Sequence, residues 1–342
     1  QVKFVDRTFN CRHDHAMAIW TYIHEHDNGI TNFHFEVSAD LLNEKEIALI
    51  NRMRPGLIQL EIGVQSANEI TIREINRTMK IDVLSTIVDK IKKGNNVHQH
   101  LDLIAGLPYE GYESFGKSFD RVYKMNPEQL QLGFLKVLKG SVMHDRAQEY
   151  GIVYQDRAPY EVLSTKWLTY AEVIRLKQIE EMVEVYYNSG QFCCTMAALE
   201  QEFASPFCMY ECLAAYYDEK NAFAVSHSRI GRYEILYDFI VKTCKERSEQ
   251  YMEMLTLDMY LRDNVKKRPE FLRESGVSSD EAAAFYKKEE KERTYLKAYE
   301  GYDRRQMRKM THLERIDGKT VLFDYKNRDP LTGNAAIYYL SE

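Results

Sequence analysis

In the stretch VHQHLDLIAGLP (residues 97–108), His98, His100 and Asp102 stand at alternate positions. A carboxylate and an imidazole on one strand face can serve a polar substrate as acid and base, and His100 with Asp102 would be that pair. Two histidines and a carboxylate can also form a facial triad for iron. Alternate strand positions rise ~3.3 Å per residue, so these three span about 13 Å, too far for one ion. No metal site is expected from them. The six cysteines, Cys11, Cys193, Cys194, Cys208, Cys212 and Cys244, fit no zinc or iron–sulfur spacing. Cys208 and Cys212 would share a helix face, but two ligands alone hold neither zinc nor a cluster. The thiols are expected to be buried in a reduced cytosol.

The elements that must carry these residues follow from periodicity. The first ~150 residues alternate strand and helix patterns, which indicates α/β architecture with a parallel sheet. Strands are expected at VKFVD (2–6), FHFEVSAD (33–40), LIQLEIGVQ (57–65), the 97–105 region and QLQLGFL (129–135). Helices are expected near 12–27, 44–53, 67–77, 82–93, 111–125 and 141–151. Asn43 with Glu46 and Ser66 with Glu69 look like capping boxes.

Parallel strands covered on both faces are normally apolar throughout. Here one face of each strand is polar: His34, Glu36, Ser38 and Asp40; Gln59, Glu61, Gly63 and Gln65; His98, His100 and Asp102; Gln129, Gln131 and Gly133. The opposite faces are apolar, as in Leu60, Ile62 and Val64. Helix-length connections argue against an antiparallel sheet with one side in water. The remaining solution is a barrel with helices outside and a polar lumen, unlike the branched apolar filling of an ordinary (β/α)₈ barrel. Such a lumen is a binding cavity.

After about Tyr160 the texture becomes helical and highly charged, with TYAEVIRLKQIEEMVEVYYNSG (169–190) as a long amphipathic helix and TVLFDYKN with AAIYYL as a terminal β-hairpin. The expected domains are therefore 1–155, a partial β/α barrel, and 156–342, mainly helical with that hairpin. The 342 residues carry a net charge of −6 and no long basic stretch, so no nucleic-acid partner is expected. No apolar run reaches the ~20 residues that cross a bilayer, and no secretory signal opens the chain. A cytoplasmic protein acting on a small molecule fits best.

LEIGVQSANEITIREINR (60–77) and HLDLIAGLPYE (100–110) resemble motifs of radical S-adenosylmethionine enzymes, and of the oxygen-independent coproporphyrinogen oxidase group in particular. VKFVDRTFN and the helical C-terminal segment resemble a narrower subfamily with an N-terminal cobalamin-binding domain, labelled magnesium-protoporphyrin IX monomethyl ester oxidative cyclase. The resemblance implies an α/β fold, a partial radical-SAM-type barrel followed by a mainly helical C-terminal domain. It implies that Glu36 binds the methionyl amino group of S-adenosylmethionine, that Gln65 and Arg77 hold its ribose and carboxylate end, and that Asp102 is the next lumen carboxylate at the cofactor. It further implies that Gly63 and Gly106 permit close backbone approach.

The resemblance also implies a CxxxCxxC loop whose thiolates hold a 4Fe–4S cluster, from which an electron cleaves S-adenosylmethionine to a 5′-deoxyadenosyl radical. No such loop occurs in these residues. The expectation is a chain that starts at the second barrel strand, with cluster ligands and a cobalamin domain upstream. The parent would be a radical S-adenosylmethionine oxidoreductase, and this chain alone would be inactive. Its first strand, residues 2–6, would be an exposed edge inviting self-association. The alternatives are a cobalamin-dependent radical methyltransferase, a cluster-independent barrel enzyme using His100 and Asp102, and a non-catalytic binding or regulatory module.

Overall fold

The computed structural model describes residues 1–340. Five strands, β1 (Val2–Lys3), β2 (Phe33–Val37), β3 (Ile58–Gln65), β4 (His98–Ala105) and β5 (Gln129–Phe134), form one sheet in sequential order. Every neighbouring pair is parallel. The intervening segments hold α1 (His13–Glu25), α2 (Glu44–Ile50), α3 (Glu69–Glu74), α4 (Ile81–Lys92) and α5 (Tyr112–Tyr123). Sequential order with right-handed crossovers puts all helices on one side, which curls the sheet into part of a barrel. The fold is the expected α/β partial barrel.

The apolar face of the sheet is sealed: Phe35, Leu60, Ile62, Leu101, Leu103 and Leu130 are fully buried. Ile87, Val88 and Ile91 of α4 and Phe115, Phe119 and Val122 of α5 are buried with them. Removing each such side chain from water contributes about 1.5–3 kcal/mol, so this face holds the unit together. Phe9, Trp20 and Phe35 close one end, with the Phe9 and Phe35 ring centroids 4.5 Å apart.

Local caps explain where the helices start. Asn43 caps α2 in a full capping box with Glu46, as expected. The cap of α3 is different: Asn68, not Ser66, accepts from the Ile70 N–H. Ser66 is fully buried and its hydroxyl donates to Glu110 Oε1 at 2.7 Å while accepting from the Asn68 N–H at 2.9 Å. The sequence pair Ser66–Glu69 mimics a box, but a buried carboxylate competes for the hydroxyl.

Beyond β5 come α6 (Val142–Asp145), a small antiparallel pair, β6 (Val153–Tyr154) and β7 (Val162–Ser164), then α7 (Tyr170–Val183). α7 runs on into a π-helical turn, Glu184–Asn188, before the chain turns at Gly190, whose φ is +62°. The next helices are α8 (Cys193–Leu199), α9 (Pro206–Glu219), α10 (Arg229–Thr243), α11 (Ser248–Arg262), α12 (Ser279–Glu292) and α13 (Arg304–Met310).

The chain divides into two compact units, one of residues 1–188 and 203–215, the other of 189–202 and 216 onward. The second unit ends in a three-stranded antiparallel meander, β8 (Thr311–Ile316), β9 (Lys319–Arg328) and β10 (Ala335–Tyr339), ordered β10-β9-β8. The expected two-stranded hairpin is thus corrected. β8 is built from THLERI, whose charges hide a strand, and joins β9 through Asp317-Gly318, both at positive φ, the two-residue turn that suits strand twist. Tyr286, Leu296, Tyr299, Met307, Leu313 and Leu322 form a core in this unit. The thiols are not buried as expected: Cys11 and Cys193 are exposed and the other four are half-buried. No helix among the described residues is long and apolar enough to cross a membrane.

Candidate functional site

The sheet's other face is polar, and strand pairing aligns its side chains in rows. Lys3, His34, Gln59 and His98 are register partners across β1 to β4. Glu36, Glu61, His100 and Gln129 form the next row, and Gly63, Asp102 and Gln131 the third. Period 2 in the sequence becomes a two-dimensional polar array because the parallel registers keep odd and even positions apart.

Glu61 lies at the centre. Its Oε2 is 3.1 Å from Lys3 Nζ and 2.8 Å from His34 Nε2. On β4, His100 Nε2 stands 3.1 Å from Asp102 Oδ1. The two imidazole contacts are close but poorly aligned, and His34 Nε2, His100 Nε2 and Asp102 Oδ1 are buried without a hydrogen-bond partner. Most buried polar groups in folded proteins are satisfied, so three orphaned atoms on one face mark a place built for something polar.

Charge sharpens this. Burial and the neighbouring Glu61 and Glu36 push the Asp102 carboxyl up to about 7. Burial and Glu61 likewise raise Glu36. Burial pushes Glu61 upward too, but Lys3, His100 and His34 outweigh it and its pKa is lowered. Burial lowers both His98 and His100, which favours neutral imidazoles. The face therefore carries more carboxylate than its bases neutralise, and a cation would relieve it.

Gln65 reaches this face by an unexpected route. The β3–β4 register slips between Gly63 and Gln65, and Gln65 pairs with Leu103 of the apolar set. A left-handed backbone at Gln65 (φ +70°) swings its side chain back, so that a methyl on Gly63 would stand 2.4 Å from Gln65 Nε2. Arg77 follows α3 and folds back to donate from Nη1 to the Gly63 carbonyl at 2.6 Å. Gly63, Gln65 and Arg77 thus meet at the end of β3, with Asp102 beside Gly63 on β4 and Glu36 one row away, opposite Glu61. Arg77 also lines an open cleft of about 580 Å³ with Ser66, Arg73, Lys80 and Arg121.

Gly106 is placed differently. Its φ is +90°, and a methyl there would lie 2.8 Å from Val162 Cγ1. Its close approach is to the β7 side chain, which suffices to require glycine. Lys3 was missed by sequence reasoning, and Glu61 had no role there. Parity already put Glu61 on the polar face and could have found Lys3, which is the register partner of His34 once β1 is paired to β2.

Residues 148–330, more than half of the chain, match the family described as "Protein of unknown function (DUF4080)". The chain belongs to this family. Part of this DUF4080 chain is also similar in sequence to oxygen-independent coproporphyrinogen III oxidase. The Salmonella typhimurium enzyme is 29% identical over 107 residues, which cover 30% of this chain and 23% of the relative. The chain thus spans about a quarter of the length of the curated relatives it matches. Among solved structures, coproporphyrinogen III oxidase (HemN) from Escherichia coli, titled a radical SAM enzyme, aligns with TM-score 0.31 and 21% identity, covering 36% of this chain and 28% of that one. The radical S-adenosylmethionine methyltransferase TsrM from Kitasatospora setae, solved with cobalamin and a [4Fe-4S] cluster bound, aligns with TM-score 0.39 and 12% identity, covering 49% and 34%.

Proposed function

We propose that this chain is part of a radical S-adenosylmethionine enzyme and that its polar sheet face holds the cofactor. The observation that carries the reading is the surplus of half-buried carboxylate around orphaned imidazole and carboxylate atoms, which suits a ligand carrying both an ammonium and a sulfonium. Homology to the coproporphyrinogen oxidases supports the same class. Glu36 would accept from the methionyl ammonium. Asp102, ionised once a cation is beside it, would balance the positive end. Gln65 and Arg77 would bond ribose hydroxyls and the carboxylate, and Gly63 leaves the room they use. Gly106 would shape the turn after β4. When bound, a 4Fe–4S cluster supplies the electron that cleaves the sulfonium C–S bond to methionine and a 5′-deoxyadenosyl radical. Its thiolate ligands are not among these 342 residues. The polar array orients the cofactor, and the sealed apolar face keeps the strands rigid behind it.

In this reading residues 1–155 are part of the barrel and 156–342 its C-terminal domain. The enzyme is an oxidoreductase linked to cobalamin bound outside this chain, in the manner of oxidative cyclases of magnesium-protoporphyrin IX monomethyl ester. Because Asp102 titrates near pH 7, affinity for a cationic ligand should rise with pH up to about that value and then level off. Equilibrium dialysis tests this. S-adenosylmethionine should be retained over S-adenosylhomocysteine, which lacks the sulfonium charge, and Asp102→Asn should erase the preference. Equal retention of both by the unaltered chain would reject the site. Anaerobic reconstitution of the full enzyme with iron and sulfide should release 5′-deoxyadenosine, and no release would reject the class.

A further inference from the structure

The second unit brings together three groups that no sequence spacing connects. Cys193 and Cys194 open α8, and Asp258 comes from α11, more than 60 residues away. The two sulfurs are 4.0 Å apart, and Cys193 Sγ lies 3.4 Å from Asp258 Oδ1. All three donor atoms lie within 4.8 Å of one another.

Asp258 already has a structural task. It is almost wholly buried, and its oxygens accept the Cys194 and Thr195 N–H groups, both at 2.8 Å, so it caps α8 from another helix. That task uses one acceptor position on each oxygen, and the second on Oδ1 is the one the Cys193 sulfur faces. It does not explain why both thiols crowd the same carboxylate.

Tetrahedral zinc binds thiolate at about 2.3 Å and carboxylate at about 2.0 Å, which sets S···S near 3.8 Å and S···O near 3.5 Å. The observed 4.0 and 3.4 Å are close to both. Cys193 is exposed, which provides an entry path, and Asn334 approaches its sulfur.

We infer that Cys193, Cys194 and Asp258 form a three-ligand site for a thiophilic divalent cation of the zinc class. Water or an exogenous donor reaching past the exposed Cys193 would take the fourth position. On binding, both thiols form metal–sulfur bonds and release their protons, about two per ion. This site stands independently of the proposed cofactor face.

The full chain, reduced with a phosphine and stripped with chelator, should be titrated anaerobically with Co²⁺. One ion per chain should bind, with a near-ultraviolet thiolate-to-metal band and release of about two protons, and Zn²⁺ should bleach the band. Cys193→Ser and Cys194→Ser should each weaken binding by more than the roughly 10–100-fold that loss of an outer-shell partner costs. Asp258→Asn keeps one of the two acceptors that hold the helix and removes the carboxylate ligand, and should weaken binding as strongly as either serine variant, with circular dichroism verifying the fold. Cys208→Ser with Cys212→Ser should change nothing. A missing thiolate band, a band that survives in the Cys193/Cys194 double variant, or one lost with Cys208 and Cys212 would each overturn the site.

Discussion

The acids of the second unit are almost wholly buried and those of the sheet face only half-buried, yet it is the latter that lack donors. Glu314 faces Arg268 and His312, with His312 Nε2 3.1 Å from its Oε2. Glu289 accepts the Tyr295 and Leu296 N–H groups at 3.0 and 2.9 Å, and Asp324 takes the Tyr299 hydroxyl and the Lys326 N–H. Those acids organise loops and strands. On the sheet face Asp102 has only the misaligned His100 imidazole, with two further carboxylates nearby. A carboxylate surrounded by donors contributes to stability, whereas one facing other carboxylates detracts from it. Folding alone gives no reason to keep the second kind.

The comparison breaks if truncation hurts both regions alike. Glu314→Ala should cost about 4 kcal/mol in urea unfolding, because it strands Arg268 in a half-buried site. Asp102→Asn should do the opposite. Its folded-state pKa is raised from 3.8 to about 7, so stability is greatest below the ordinary value, falls as pH rises through that window, and is constant above it. A shift of roughly three units is worth at most about 4 kcal/mol, and partial hydration reduces it to about 2. The variant should therefore gain about 2 kcal/mol at pH 8 and nothing at pH 3.5, read from urea midpoints.

The two glycines sharpen the contrast at smaller scale. Gly106→Ala meets both a left-handed backbone and Val162, and should cost about 2 kcal/mol. Gly63→Ala meets the movable ends of Gln65 and Arg77, and should cost under about 1 kcal/mol while weakening retention of S-adenosylmethionine in dialysis. Asn68→Ala should cost about 1 kcal/mol through the lost cap on α3, with no effect on retention.

The sheet and its polar face were legible because alternation over four strands records which side meets helices. The rows were not, since register belongs to pairs of strands. Parity also misleads at the end of β3: it puts Gln65 on the polar face by counting, whereas the chain slips there and returns through a left-handed residue. Ser66 misled because its box partner was nearer in sequence than Glu110, which holds it in space. β8 escaped notice for its charges, although Asp317-Gly318 was a readable turn. The Cys193, Cys194 and Asp258 group could not be seen, because α11 approaches α8 only after folding.

The slip at Gly63–Gln65 bears on how this surface can vary among descendants. A left-handed residue admits few side chains without penalty, and β-branched ones least of all. The extended backbone beside it sets no such limit on side-chain type, but this corner is restricted to glycine, asparagine, aspartate or a tolerated glutamine. New ligand preferences should therefore arise by exchanging neighbours around a fixed elbow.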